Sequence, residues 1–285
     1  MPLSNTRFWT GAGIVLAALV AMAFSGINEY VFFAGFVVLQ FVVLASAWNI
    51  LGGYAGYVNF GVPAFVATGA YAALVMFKGL GAPLVVQIVF GAFVAGVLGL
   101  LVGLLTLRLR GIFFSIATVA VIFILETVVL NWRFVGGASG LQLSRPGPSL
   151  GFESYTRMLF AVMAGVGRPG VGAPPFPPAP RTVSGALLGA GGAPMPMYLS
   201  FIEPASSFNL SYAVSTLAMP IIGGLGHWAG PVIGALLLGS LQQIVTVTIS
   251  SELNVLVVGV LLVVFVVIAP EGILGLVKSW KRSSK

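Results

Sequence analysis

The chain has 285 residues, of which 7% are charged and 59% hydrophobic, and it has no cysteine. A soluble domain carries about 25% charged residues, so a soluble globular protein is excluded, and the missing cysteines exclude disulfides and cysteine-ligated metals. The net charge of +7 lies between apolar runs and at the C-terminus, not on one face, so nucleic acid is not an expected partner and membrane lipid is.

Crossing a bilayer takes about 20 apolar residues as a helix. Ten apolar segments follow one another: Phe8–Ser25, Tyr30–Ile50, Tyr54–Phe77, Pro83–Leu107, Ile112–Leu130, Tyr155–Gly167, Thr182–Leu199, Leu210–Ile222, Pro231–Ile249 and Leu253–Ala269. The first has the basic flank of a signal peptide, but Ser25-Gly26-Ile27 is a weak cleavage site and further spans follow at once, so it reads as a retained helix. Tyr155–Gly167 and Leu210–Ile222 are short enough to be re-entrant or incomplete, which leaves about 8–10 embedded segments. The expected fold is an all-α polytopic integral membrane helix bundle, one transmembrane domain over residues 1–285.

Lys and Arg in short loops stay on the cytoplasmic side. With the N-terminus inside, Arg7, Arg108, Arg110, Arg168, Arg181, Lys278, Lys281, Arg282 and Lys285 lie inside, and Lys78, Arg133, Arg145 and Arg157 outside. This asymmetry predicts a multi-pass protein with both termini cytoplasmic. Between the spans, ten of the sixteen residues of Gly165–Pro180 are Gly or Pro. Proline lacks the helical donor and clashes with the preceding turn, so the stretch reads as a non-helical cytoplasmic linker.

Two Gly-rich interruptions stand out, one in each half of the chain. Asn49-Ile50-Leu51-Gly52-Gly53-Tyr54-Ala55-Gly56-Tyr57-Val58-Asn59-Phe60-Gly61 is the first, and Pro220-Ile221-Ile222-Gly223-Gly224-Leu225-Gly226-His227-Trp228-Ala229-Gly230-Pro231 the second. Broken helices at corresponding places in two halves point to an inverted repeat with a site near the midplane. An ordinary tight turn between glycine-packed helices fits the same residues. On the first reading the substrate path is lined by Asn49, Gly52, Gly53, Tyr54, Asn59, Gly61, Gly223, Gly224 and Gly226. Glu126, inside Ile112–Leu130, joins them as an ionisable residue in a span, or is a Glu satisfied by a neighbour or snorkelling outward. His227, beside Trp228, reads as interfacial. No nucleophile–base pair, metal cluster or phosphate-binding loop is present, so neither an enzyme nor a bound cofactor is expected.

Three blocks of residues resemble the permease subunits of ABC importers for branched-chain amino acids, a family that also serves urea and short amides, and the longer of its two subunit types. They are Trp48 to Gly56 continuing through Asn59-Phe60-Gly61 to Tyr71; Leu107 to Thr118 followed by Gly136-Gly137-Ala138-Ser139-Gly140-Leu141; and Ile222 to Gly226 with Trp228, Gly230 to Gly234 and Pro270-Glu271-Gly272-Ile273. The resemblance implies a bacterial-type inner-membrane permease that pairs with a second permease subunit, two cytoplasmic ATPase subunits that bind the ATP, and an external solute-binding protein. It also implies a charged cytoplasmic helix between the sixth and seventh segments, where this chain carries Gly165–Pro180, as a divergent linker or an out-of-frame stretch. The alternative is a proton- or ion-coupled secondary carrier, which needs intramembrane acids, of which Glu126 is the one candidate.

Overall fold

The computed structural model describes residues 18–23, 28–106, 109, 111–144, 154–171, 180–248, 253–269 and 272–275. Most of Phe8–Ser25, the C-terminal basic residues and Arg108, Arg110 and Arg145 lie outside them, although residues 18–22 are helical.

Helix α1, Glu29–Asn49, is capped by the Asn28 side chain, which accepts from the Tyr30 N–H, and passes into a π-helical turn over Ile50–Tyr54. Helix α2 is Val62–Leu80, with Pro63 in its first turn; it stops at Gly81, whose left-handed conformation (φ 60°) closes a Schellman-type end on Met76 and Phe77. Helix α3 is Leu84–Leu105 and α4 is Ile112–Leu130. After a loop come strand β1, Leu141–Gln142, and helix α5, Tyr155–Val171. Helices α6, Pro180–Gly192, and α7, Met195–Leu199, precede strand β2, Phe201–Ile202. Helices α8, Pro204–Ser207, α9, Ser211–Gly223, α10, Ala229–Thr248, and α11, Leu253–Ile268, follow, and residues 272–275 are again helical.

The protein is therefore an all-α, multi-pass membrane bundle. Among the described residues five helical stretches are long and apolar enough to span: Glu29–Tyr54, Val62–Leu80, Leu84–Leu105, Ile112–Leu130 and Ala229–Thr248. Helix α1 is central, and its two ends are held differently. At its first turn, Glu29 pairs with Arg157 of α5 at 3.3 Å and accepts from the Ser154 hydroxyl, while the Arg157 guanidinium lies 5.1 Å from the Phe32 ring centre. Arg157 is thus buried beside a half-exposed partner. Further along, Tyr198 of α7 stacks on Phe33 and Phe36 at 4.4 Å each.

Helices α2, α3 and α6 meet backbone to backbone. A Cβ on Gly69 would overlap the Gly189 carbonyl, one on Gly192 the Val66 carbonyl, and one on Gly185 would stand 2.9 Å from the Ala95 oxygen. Small residues spaced by fours, Gly91-Ala95-Gly99-Gly103 on α3 and Gly185-Gly189 on α6, provide this approach. Lipid tails are as apolar as Leu, so close van der Waals fit, not burial from water, holds such helices together.

Three sequence expectations need correction. The span expected at Tyr54–Phe77 begins at Val62, because Asn59 Oδ1 takes the Gly61 N–H and turns the chain there. The segment Thr182–Leu199 is two helices, broken at Ala193-Pro194, where a proline cannot continue the ladder. Gly165–Pro180 is not wholly a linker: α5 runs through Pro169 to Val171, only the last turn carrying the proline; residues 172–179 lie outside the described residues.

Candidate substrate path

The two Gly-rich interruptions meet. The buried Asn49 side chain joins them, its amide donating to the His227 carbonyl and its Oδ1 accepting from the Gly226 N–H, both at 3.3 Å. The π turn brings Gly52 under the Trp48 indole and Gly53 under Asn49, four residues on in each case. A Cβ on Gly52 would strike the indole, and one on Gly53 would strike Asn49 Oδ1 and stand 3.0 Å from the Gly226 nitrogen. The second interruption is equally tight, because a Cβ on Gly223 would overlap the Gly230 carbonyl and one on Gly230 the Gly224 carbonyl. The α9–α10 junction is thus a glycine-packed turn, in which Gly224 (φ 120°) and Gly226 (φ 70°) adopt conformations open to glycine.

The rest of the first interruption is clamped onto α1 and α4. The buried Asn59 carbonyl accepts from the Trp48 indole N–H at 2.8 Å, the Phe60 N–H donates to Thr118 Oγ1, and the Ser115 hydroxyl donates to the Val58 carbonyl. A Cβ on Gly61 would sit 3.0 Å from the Thr118 oxygen. Tyr54 closes the π turn and is partly exposed.

The structure places this meeting point at one end of the bundle. Asn49 is the last residue of the 21-residue α1, and the connection it opens joins two full-length spans and packs on the first two turns of α4. The glycines Gly52 and Gly53 lie in the π-helical turn that continues α1 within the apolar stretch Glu29–Tyr54. Glu126 is not brought to the junction. It lies in the second half of α4, half-buried, and makes no hydrogen bond or ion pair with a described residue.

Polar residues that sequence reading passed over lie deeper in the helices. Gln40 donates to the Gly191 carbonyl, Ser184 to the Ala47 carbonyl, and Gln242 to the Ser215 hydroxyl, all buried. The hydroxyls of Ser46 and Thr216 are buried without a hydrogen-bond partner among the described residues. An amide or hydroxyl within an otherwise apolar span is the signal that marks them. Among the described residues no group of His, Asp and Glu could hold a metal ion.

A family model described as "branched-chain amino acid transport system / permease component" matches residues 30–165 and 181–266. The matched intervals carry both interruptions, and the gap between them, 166–180, falls on the Gly/Pro-rich stretch. No curated protein and no solved structure matches the chain. The chain belongs to the family of permease components of branched-chain amino acid transport systems.

Proposed function

We propose that this chain is the membrane permease subunit of an ABC importer, moving branched-chain amino acids or related small solutes with ATP hydrolysed by partner subunits. The observation that carries the reading is the family match on both sides of the Asn49 clasp. The chain supplies a polytopic path and no chemistry. Two cytoplasmic ATPases, a second permease and an external binding protein complete the machine, in a bacterial-type inner membrane with both termini cytoplasmic. Asn49, Gly53 and Gly226 form the joint whose opening and closing controls passage, with Gly52, Tyr54, Asn59, Gly61, Gly223 and Gly224 shaping the backbone around it. Glu126 lies apart from that joint on α4 and carries no proton.

The test is uptake of a branched-chain amino acid into proteoliposomes holding the complete complex. Uptake should require ATP and be indifferent to an uncoupler. Collapse with the uncoupler while ATP is held constant would replace this reading with an ion-coupled carrier. A parallel preparation, with residues 165–180 replaced by a charged helix, should recover more ATPase on copurification. A chain without helical structure of its own loses about 1–2 kcal/mol of backbone entropy per residue when it is ordered on docking. Equal recovery would show that the linker is no handicap.

A further inference from the structure

Arg181 is the first residue at which the family match resumes after the Gly/Pro-rich gap, and its side chain reaches back across the bundle. Its guanidinium carbon stands 4.7 Å from the Tyr57 ring centre and 5.7 Å from that of Phe114, and the two rings are 5.1 Å apart. Tyr57 belongs to the α1–α2 connection, Phe114 to the first turn of α4, and Arg181 to the first turn of α6. The Arg181 side chain lies along Gly103 of α3, where a Cβ would stand 3.1 Å from its Cδ, and its carbonyl would be 2.7 Å from a Cβ on Gly99. Its Nε is buried with no hydrogen-bond partner among the described residues. The ring faces are therefore its visible attraction, since the face of an aromatic ring draws a guanidinium. The Tyr57 N–H in turn donates to the Leu51 carbonyl at 3.0 Å, inside the π turn that carries Gly53 to Gly226.

We infer that Arg181 is a positioning residue that ties the entrance of α6 to the Asn49–Gly226 joint, so that displacement of α6 by a cytoplasmic partner is passed through Tyr57 and Leu51 to the joint. This rests on the importer reading and names the residue through which the partner acts. The argument is geometric: one cation bridges three elements and presses on a connection whose backbone is hooked to the π turn. Arg157, beside the first turn of α1, also stands over an aromatic ring but touches no part of the joint, and serves as the control.

The experiment uses the assembled complex in proteoliposomes. The chain has no cysteine, so Ala55→Cys gives a single site for a spin label beside Tyr57. In the otherwise unaltered chain, ATP should change the label's mobility. Arg181→Gln, and Arg181→Lys, which keeps the charge but loses the flat face, should reduce that change about fivefold or more, the low end of measured coupling between sites. Arg157→Gln should leave it intact. If Arg181→Gln fails to assemble, Tyr57→Leu and Phe114→Leu take its place with the same expected loss. A full ATP response in the Arg181 variants, an equal loss in Arg157→Gln, or a label that never responds while uptake remains ATP-driven would each overturn the tie. Uptake that needs no ATP at all would instead overturn the importer reading.

Discussion

Gly189→Ala is the smallest change that tests the backbone contact among α2, α3 and α6. The added methyl would overlap the Ala95 Cβ and stand 2.8 Å from the Gly91 oxygen, while Gly69 already occupies the space against the Gly189 carbonyl from the other side. The helix cannot shift away from one neighbour without meeting the other. Overpacking of this kind costs about 1–3 kcal/mol. Against it stands the helix propensity gained by replacing glycine with alanine, about 0.8–1 kcal/mol. The net expectation is a loss of about 1 kcal/mol, or about 2–4 °C in unfolding temperature for a chain of this size. Gly259→Ala separates the two terms, because Gly259 lies inside α11 with nothing within 4 Å of its would-be Cβ. It keeps the propensity gain without the overlap and should raise the unfolding temperature. The assay is thermal unfolding of the detergent-solubilised protein followed by intrinsic fluorescence. If Gly189→Ala proves as stabilising as Gly259→Ala, α3 and α6 are not in backbone contact and the packing argument fails.

Gly53→Leu should abolish uptake with the protein still inserted, since the side chain would expel Asn49 from Gly226; normal uptake would contradict the joint. Asn49→Ala removes two hydrogen bonds, each worth about 0.5–1.5 kcal/mol, and should lower the unfolding temperature while weakening uptake; retention of both would dismiss the clasp. Glu29→Gln takes the charged partner from the buried Arg157, so the double variant Glu29→Gln/Arg157→Met should be more stable than Glu29→Gln alone, as the same unfolding assay would report. Glu126→Gln should leave uptake ATP-driven and insensitive to the proton gradient. Reporter fusions at Lys285 and in the loop around Arg145 should give cytoplasmic and external signals respectively.

The bundle was legible in sequence because hydrocarbon leaves the backbone few options: apolar runs of sufficient length must be helices. Ile112–Leu130 therefore agrees with its helix end to end. The apposition of the two Gly-rich junctions was legible too, in that both lack the side chains that would hold backbones apart. The hydrogen bonds that join them, through Asn49, were not. A glycine cluster signals close approach without naming the side chain that bridges it. The extension of α5 through Pro169 is not legible in composition, which averages over a whole segment and does not mark where within it a helix stops. Gln40, Ser184 and Gln242 were hidden because their partners are a main-chain carbonyl or a lone hydroxyl on distant helices, and only the fold reveals them.

Backbone contact among α2, α3 and α6 has a mechanical consequence. Side chains can change rotamer and let two helices slide; carbonyls and glycine Cα atoms have no such slack. A shift of one residue along α6 would drive the Gly189 carbonyl out from beneath Gly69 and place Leu188 or Ala190 there instead. The three helices must then travel as one rigid block through any cycle of opening and closing. Compliance is left to the contacts made by side chains, between this block and the outer part of α4 on one flank and the glycine-packed pair of α9 and α10 on the other. Displacements that admit and release a solute would be absorbed along those two seams.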